Sequence, residues 1–301
     1  MHDCLILGGG PAGLAAALYA SRYGLDACLL DELYLGGQIV NAAEVENYPG
    51  YADPVSGGDL ADYMEKQTRL HTSQIFFDAA KGVDLLSAVK TVKTSSKVYE
   101  AKTVIIAMGQ NPRSLGVERE KEFMSRGVSY CATCDGNFFK GKDVAVAGGG
   151  NTALSEAAFL ARICKSVSVI HRRNEFRAAK AEVEKARKLP NVKFILESQV
   201  TALLGKDYLE GIEISGPESF TLPVEALFIA VGAIPKTELF KGLLNLDPQG
   251  FIITDENMET GIPGVYAAGD IRKKSLRQVV TAVADGAIAA HSAMEYCTGL
   301  A

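Results

Sequence analysis

The chain has 301 residues, 48% hydrophobic and 22% charged, with a formal net charge of -5; that is enough for about two domains with full cores and excludes a disordered chain. The acidic balance excludes the basic surface that marks a nucleic-acid binder or a polybasic membrane-surface protein, and no stretch approaches the ~20 uninterrupted apolar residues of a membrane span. Met1–Leu7 carries no basic region and runs straight into a strand-like stretch, which speaks against a signal peptide and predicts a cytoplasmic protein.

Taken along the chain, the predicted elements form one unit used twice. Residues 4–13 read Cys-Leu-Ile-Leu-Gly-Gly-Gly-Pro-Ala-Gly, and residues 144–153 read Val-Ala-Val-Ala-Gly-Gly-Gly-Asn-Thr-Ala. Each is an apolar strand, a glycine turn and the start of an apolar helix. The helices are expected over about 12–23 and 152–163. Strand-like segments follow, such as 97–101 and 211–214, separated by Gly, Asp and Ser. Each copy closes on an apolar strand, Val104–Ala107 before Gly109 and Leu227–Ala230 before Gly232, with a proline (Pro112, Pro235) five residues beyond the alanine. Residues 239–301 start no third copy. They carry a predicted strand pair around 250–253, an apolar strand at 265–268 ahead of Gly269-Asp270, and a helix over about 276–295. The expected class is α/β: two Rossmann-like three-layer dinucleotide-binding domains, the second (114–238) inserted in the first (1–113 and 239–301).

The first turn, Gly8-x-Gly10-x-x-Gly13 with Pro11 and Ala12 inside it, follows a predicted strand and opens a helix, the context that gives a dinucleotide fingerprint its meaning. Glycine permits close backbone approach, and a pyrophosphate then sits at the positive end of the helix dipole. The next strand ends in Asp31-Glu32; one of these takes ribose hydroxyls, or both are a solvated strand end. The second turn, Gly148-x-Gly150-x-x-Ala153, contains Asn151 and Thr152. Asp31 lies eighteen residues beyond Gly13; the same offset from Ala153 lands on His171, followed by Arg172 and Arg173, with Arg177 nearby. A carboxylate there would repel a 2′-phosphate, whereas arginine pairs with it. The second site is therefore expected to take NADPH, and the first FAD; the bland alternative is a solvated basic strand end. Asp270 is expected at a ribityl hydroxyl or phosphate-bound water, or is a plain N-cap. The helix beginning near Arg277-Gln278-Val279 would aim its positive end at the negative charge of a reduced flavin.

Cys131-Ala132-Thr133-Cys134-Asp135 holds the close CxxC spacing. Beside a βαβ pattern in a protein expected in the cytosol, where structural disulfides are rare, this points to redox chemistry. Half of a zinc site would need a second pair, which Cys164, Cys297 and four histidines do not supply, so no metal is expected. Asp135 is placed to protonate a departing thiolate. Cys4 and Cys28 fall in predicted core strands and read as buried thiols.

These motifs, together with Gly36-Gly37-Gln38, Glu46-Asn47-Tyr48-Pro49-Gly50, Gly269-Asp270 and Arg277-Gln278, resemble the low-molecular-weight, bacterial-type thioredoxin reductases along the whole chain. The resemblance implies a homodimeric flavoprotein that passes electrons from NADPH through FAD and a Cys131–Cys134 disulfide to thioredoxin. It implies that Cys134 faces the flavin, that Cys131 attacks thioredoxin, that Asp135 is the acid, and that the two domains rotate. It extends the flavin contacts to Gly37, Gln38, Asn47, Gly109, Gly269, Asp270, Arg277, Gln278 and Val279. Arg113 and Arg126 match positions that touch thioredoxin in the family. The chain departs from the family pattern at Ser155 (usually Glu, with Glu156 retained), at Met108, at Asn41-Ala42-Ala43 and at Ala284-Asp285-Gly286; these bear on cofactor affinity rather than reaction type. Cys297 has no second thiol beside it, which speaks against the larger reductases with a C-terminal relay. The rivals are a different thioredoxin-like acceptor, a ferredoxin-fed relative, a small-dithiol oxidase and a flavin-bearing redox sensor. The arginine cluster disfavours the ferredoxin and oxidase readings, and the absence of a thioredoxin-like segment ahead of the first strand disfavours a dedicated peroxiredoxin reductase.

Overall fold

The structure is a computed structural model and describes residues 1–42, 44–72 and 74–299. The chain forms two compact units: Met1–Asn111 with the chain from Ile234 onward, and Pro112–Ala233 between them. The insert thus runs over 112–233, starting and ending earlier than the expected 114 and 238. The connections themselves are two short strands that pair into a separate ribbon, described below.

The first unit opens with β1 (His2–Leu7), α1 (Pro11–Arg22), β2 (Ala27–Asp31), α2 (Gly57–Arg69), β3 (Ile75–Phe77), β4 (Ala80–Asp84), β5 (Lys90–Thr94) and β6 (Val98–Ile106), and β7 (Gln110–Pro112) leads out of it. β1 lies parallel between β2 and β6, and β3 extends the sheet beyond β2. Proline fits the first helical position because its missing N–H would be unpaired there, so α1 starts at Pro11. The two segments expected at 97–101 and 104–107 are one strand, β6. Its burial alternates over Val98–Ala101 and is continuous over Thr103–Ile106. The first half pairs antiparallel with β5 and has one face in solvent; the second half is covered on both faces. On β1, Cys4 and Ile6 pack with α1, while Leu5 and Leu7 face a second cluster on the other side of the sheet.

The insert contains β8 (Val128–Ser129), α3 (Ala132–Asp135), β9 (Asp143–Gly148), α4 (Asn151–Leu160), β10 (Ser166–Ile170), α5 (Lys180–Arg187), β11 (Val192–Ile195), β12 (Gln199–Leu204), β13 (Gly211–Ser215), β14 (Phe220–Leu222) and β15 (Ala226–Ala230). Its parallel sheet has the order β11-β10-β9-β15-β8, and β12-β13-β14 form an antiparallel layer. β16 (Ala233–Pro235) then pairs with β7. The chain returns to the first sheet with β17 (Val265–Ala267), parallel to the second half of β6, and ends in α6 (Val279–Thr298). The parallel part of the first sheet is therefore β3-β2-β1-β6-β17.

Two expectations for the closing segment need correction. Residues 250–253 make no strand pair, only isolated bridges from Ile252 to Leu246 and Arg272. Asp247 Oδ1 captures the N–H groups of Gln249 and Phe251, which bends the chain into a tight turn instead. The last helix starts at 279 rather than 276: Gln278 is extended, and its side chain and that of Thr281 cap each other's backbone. Among the described residues, no helix is long and apolar enough to cross a membrane.

Candidate functional site

The first glycine turn lies between β1 and α1. A Cβ on Gly13 would stand 1.8 Å from Gly8 O, so only glycine lets the helix close on the strand. Gly37 opens a short 3-10 turn, Gly37–Asn41, and packs against Gly10. Asp31 and Glu32 differ in what they touch. Asp31 Oδ2 accepts Gly9 N–H at 2.6 Å and Oδ1 accepts Leu33 N–H at 3.2 Å, so its carboxylate braces the turn. Glu32 is exposed at the strand end. Asn47 and Gln278, far apart in sequence, meet through Asn47 Nδ2 and Gln278 Oε1 at 3.1 Å. Gln38 Nε2 reaches Asn111 Oδ1 at 3.4 Å. Gly109 takes a positive φ of 68° at the end of the strand region.

The 3-10 turn Gly269–Ile271 follows β17. Asp270 is half-buried, and burial pushes its carboxyl up while Lys274 and Arg277 pull it back. Arg277 lies over the Phe251 ring at 4.2 Å, and burial lowers its pKa. Asp270 Oδ1 and Arg277 Nε are both shielded from solvent without a hydrogen-bond partner. Buried polar groups left in that condition cost free energy unless something else bonds them. Beside them stands Asp285 of α6, which accepts Gly269 N–H at 3.0 Å, Lys274 Nζ at 2.8 Å and Arg272 Nη1 at 3.2 Å.

The second glycine turn lies between β9 and α4. The His171 ring fills the space where a Gly149 Cβ would be, at 2.2 Å. The ring stacks on Phe176 with centroids 5.3 Å apart, and Nε2 lies 3.0 Å from Glu175 O. Burial holds its pKa below the ordinary value; the Glu175 carbonyl opposes this, and Arg177, Arg173 and Arg172 add to it. Burial thus favours the neutral imidazole. Arg177 N–H donates to Gly149 O at 2.8 Å, which ties the arginine segment to the turn. A cleft of about 230 Å³ opens here, lined by Gly148, Gly149, His171, Arg172, Arg177 and Arg113, among others. Arg173 does not line it; its carbonyl accepts Glu197 N–H. Asn151 Oδ1 accepts Ala179 N–H at 2.8 Å, so this side chain positions the start of α5, while Thr152 is exposed and Ala153 is buried.

The redox turn follows β8. Cys131 and Cys134 are joined in a disulfide, with Cα atoms 5.3 Å apart. Cys131 is extended and precedes α3, whose last residue is Asp135. Ser129 Oγ donates to Asp135 Oδ2 at 2.6 Å and accepts Cys131 N–H at 3.0 Å. Burial raises the Asp135 pKa, and the Ser129 bond partly offsets it. From the other side, Glu156 of α4 accepts Ala132 N–H; burial pushes its pKa up to about 7, and its Oε2 is shielded without a partner. No sequence motif points to Ser129, and the family pattern names Glu156 only beside the Ser155 departure, with a bearing on cofactor affinity and none on the redox turn. Burial disfavours the thiolate at the remaining cysteines: it pushes Cys4 and Cys28 up to about 12, Cys164 up to about 11, and raises Cys297 as well.

Residues 2–286 match the family described as pyridine nucleotide-disulphide oxidoreductase. The chain belongs to that family. The thioredoxin reductase of Peptoclostridium acidaminophilum is 44% identical, over 98% of this chain and 97% of its own. That of Streptomyces coelicolor is 42% identical, over 100% and 95%. The crystal structure of thioredoxin reductase from Streptococcus pyogenes superposes with a TM-score of 0.93 at 42% identity, covering 99% of each chain.

Within this oxidoreductase family frame, the departures noted in the sequence fall at different depths. Ser155 is exposed, next to the buried carboxyl of Glu156. Met108 is half-buried against the core of the first unit. Asp285 is buried and ion-paired. Ala43 lies outside the described residues.

Proposed function

We propose that this chain is an NADPH-dependent thioredoxin-disulfide reductase that works in the cytoplasm as a homodimer, with FAD in the first unit and NADPH in the second. The observation that carries the reading is one unit holding both a disulfide beside a half-buried acid and a glycine turn facing an arginine-lined cleft. The full-length relatives named thioredoxin reductases support the same acceptor.

The residues of the first unit fit a flavin dinucleotide. The turn Gly8–Gly13 offers backbone N–H groups and the N-terminus of α1 to a pyrophosphate. Glu32 takes the ribose hydroxyls, since Asp31 is bound to the turn. Asp270 Oδ1 and Arg277 Nε, both shielded and without a hydrogen-bond partner, fit polar groups of such a ligand. Gln278 and Val279 present the positive end of α6. FAD, when bound, supplies the two-electron carrier between nicotinamide and disulfide. In the second unit, Arg172 and Arg177 pair with the 2′-phosphate, and the His171 ring forms the wall of the turn. Burial keeps Asp135 protonated to higher pH than an exposed carboxyl, so it holds a proton for a departing thiolate. Cys131 attacks the acceptor disulfide, and Cys134 then displaces the acceptor from Cys131.

The test is an anaerobic NADPH titration that follows flavin absorbance and counts thiols, then adds oxidised thioredoxin. Flavin bleaching, two new thiols per chain and reoxidation by thioredoxin are expected. An oxidised flavin after NADPH, with bleaching and disulfide opening by a chemical reductant, would move a ferredoxin-fed or oxidase reading to the front.

A further inference from the structure

Asp135 does not stand alone. Ser129 is 4% exposed and closes β8, where it is in register with Phe228 of β15. A hydroxyl carries one proton and two lone pairs. Cys131 N–H occupies a lone pair at 3.0 Å. The proton has two candidate acceptors, Asp135 Oδ2 at 2.6 Å and Cys131 O at 3.3 Å. The shorter contact takes it, because hydrogen-bond strength falls steeply with distance and a carboxyl oxygen is the stronger acceptor.

We infer that Ser129 is the positioning residue of the acid: by donating to Oδ2 it leaves the transferable proton of Asp135 on Oδ1, and by accepting Cys131 N–H it holds that acid in register with the redox turn. The inference rests on the proposed disulfide-reductase reading. In the exchange step, Cys131 Sγ as thiolate bonds to one sulfur of the acceptor, the acceptor S–S bond breaks, and the other sulfur leaves with the electron pair. It takes the Oδ1 proton, so one thiolate is consumed and one carboxylate is formed. That carboxylate appears in a half-buried place, and the Ser129 O–H···O⁻ bond, already aimed at it, strengthens as the charge develops. A third group that orients a catalytic acid or base is a general feature of such pairs.

The dependence on leaving group separates this role from mere support of the turn. A sulfur with an acidic thiol leaves without a proton donor; an alkyl thiolate needs one. The full chain, with its Cys131–Cys134 pair pre-reduced by dithiothreitol and freed of it, is mixed in single turnover with DTNB (an acidic aryl leaving thiol) or with hydroxyethyl disulfide (an alkyl one). Ser129→Ala should slow the alkyl reaction about tenfold and the aryl reaction less than about twofold, in line with loss of a hydrogen bond to a charged group. In the Asp135→Asn background the same change should add almost nothing, because the acid it positions is gone. Ser129→Thr, which keeps the hydroxyl, should preserve the wild-type ratio of the two rates. Equal losses with both disulfides, a full additional loss on top of Asp135→Asn, or a changed ratio in Ser129→Thr would each overturn the inference. Neither NADPH nor thioredoxin enters the assay. A failure of the proposed acceptor or donor would therefore appear only in the titration above, while a wild-type pair that reacts with neither probe would end both readings.

Discussion

Asp285 gives a prediction whose size follows from the structure. Its side chain is 9% exposed, and the cations it holds, Lys274 and Arg272, are 8% and 14% exposed. Asp285→Asn keeps the shape and an acceptor for Gly269 N–H, but leaves two shielded cations without their shared counter-charge. Removing one partner of a buried ion pair costs about 3–5 kcal/mol, because the remaining charge cannot regain water. Asp270 Oδ1, 3.9 Å from Lys274 Nζ, recovers part of this, so the low end is expected. At ~2–4 °C per kcal/mol for a unit of this size, the first unit should melt roughly 6–12 °C lower. Circular dichroism melts of the full chain, with flavin fluorescence to report cofactor release from the same unit, measure it. Asp285→Leu combined with Lys274→Met and Arg272→Met should lose less than Asp285→Asn alone, since no unpaired charge remains. A loss below about 1 kcal/mol for Asp285→Asn would refute the reasoning, because it would put the pair in the class of solvated surface bridges.

Three further outcomes are expected. Arg172→Ala and Arg177→Ala should each reduce the NADPH-over-NADH ratio of kcat/KM about tenfold, the scale of one exposed charge-assisted contact, while Arg173→Ala should change it less than about twofold; an equal effect at Arg173 would remove the cleft from the 2′-phosphate site. Cys134→Ser should bind FAD like the parent, because the residues proposed to hold the flavin belong to the other unit, and should lose disulfide turnover; turnover that persists would sink the redox assignment. Glu156 has its pKa raised from the ordinary 4.5 to about 7, so the folded unit keeps a proton that the unfolded chain releases, and stability falls as pH rises through that window. At about 1.4 kcal/mol per pKa unit the fall is roughly 3 kcal/mol. Urea unfolding of Glu156→Gln between pH 5 and 7.5 should lack it, and a parent-like decline in that variant would contradict the assignment.

What the sequence made legible were features of short spacing. The glycine turns, the acid at the end of β2 and the arginines at the end of β10 are fixed by strand and helix periods, so counting residues locates them. Counting does not say which neighbour a turn will use. Asp31 is consumed by Gly9 N–H and leaves Glu32 free to face solvent, and only the backbone path of the turn decides between them. The same holds for Arg173 and Arg177: the more distant one reaches the cleft because its N–H is tied to Gly149 O. Asn47 with Gln278, and Ala132 with Glu156, are pairs made by tertiary closure, for which a single sequence carries no spacing signal.

The placement of the redox turn was hidden for a different reason, which is order. In the first sheet the strand beside β6 is β17, and it comes last; in the second sheet the strand beside β15 is β8, and it comes first. The two sheets therefore match strand for strand only if the insert is read as starting one strand early. In that alignment Cys131–Asp135 follows the fifth strand of its sheet just as Gly269-Asp270 follows the fifth strand of the other. Both segments sit where an open parallel sheet gathers its ligands, beyond the carboxyl ends of the strands. The linear repeat of strand, glycine turn and helix cannot show this, because the element that carries the chemistry has moved from the end of the unit to its beginning. A disulfide introduced into the first unit at the Gly269-Asp270 position would occupy the equivalent place, but there Asp285 and its cations already hold the turn. The fold thus offers the same edge twice, and the side chains around it decide whether it carries a redox pair or an ion-paired turn.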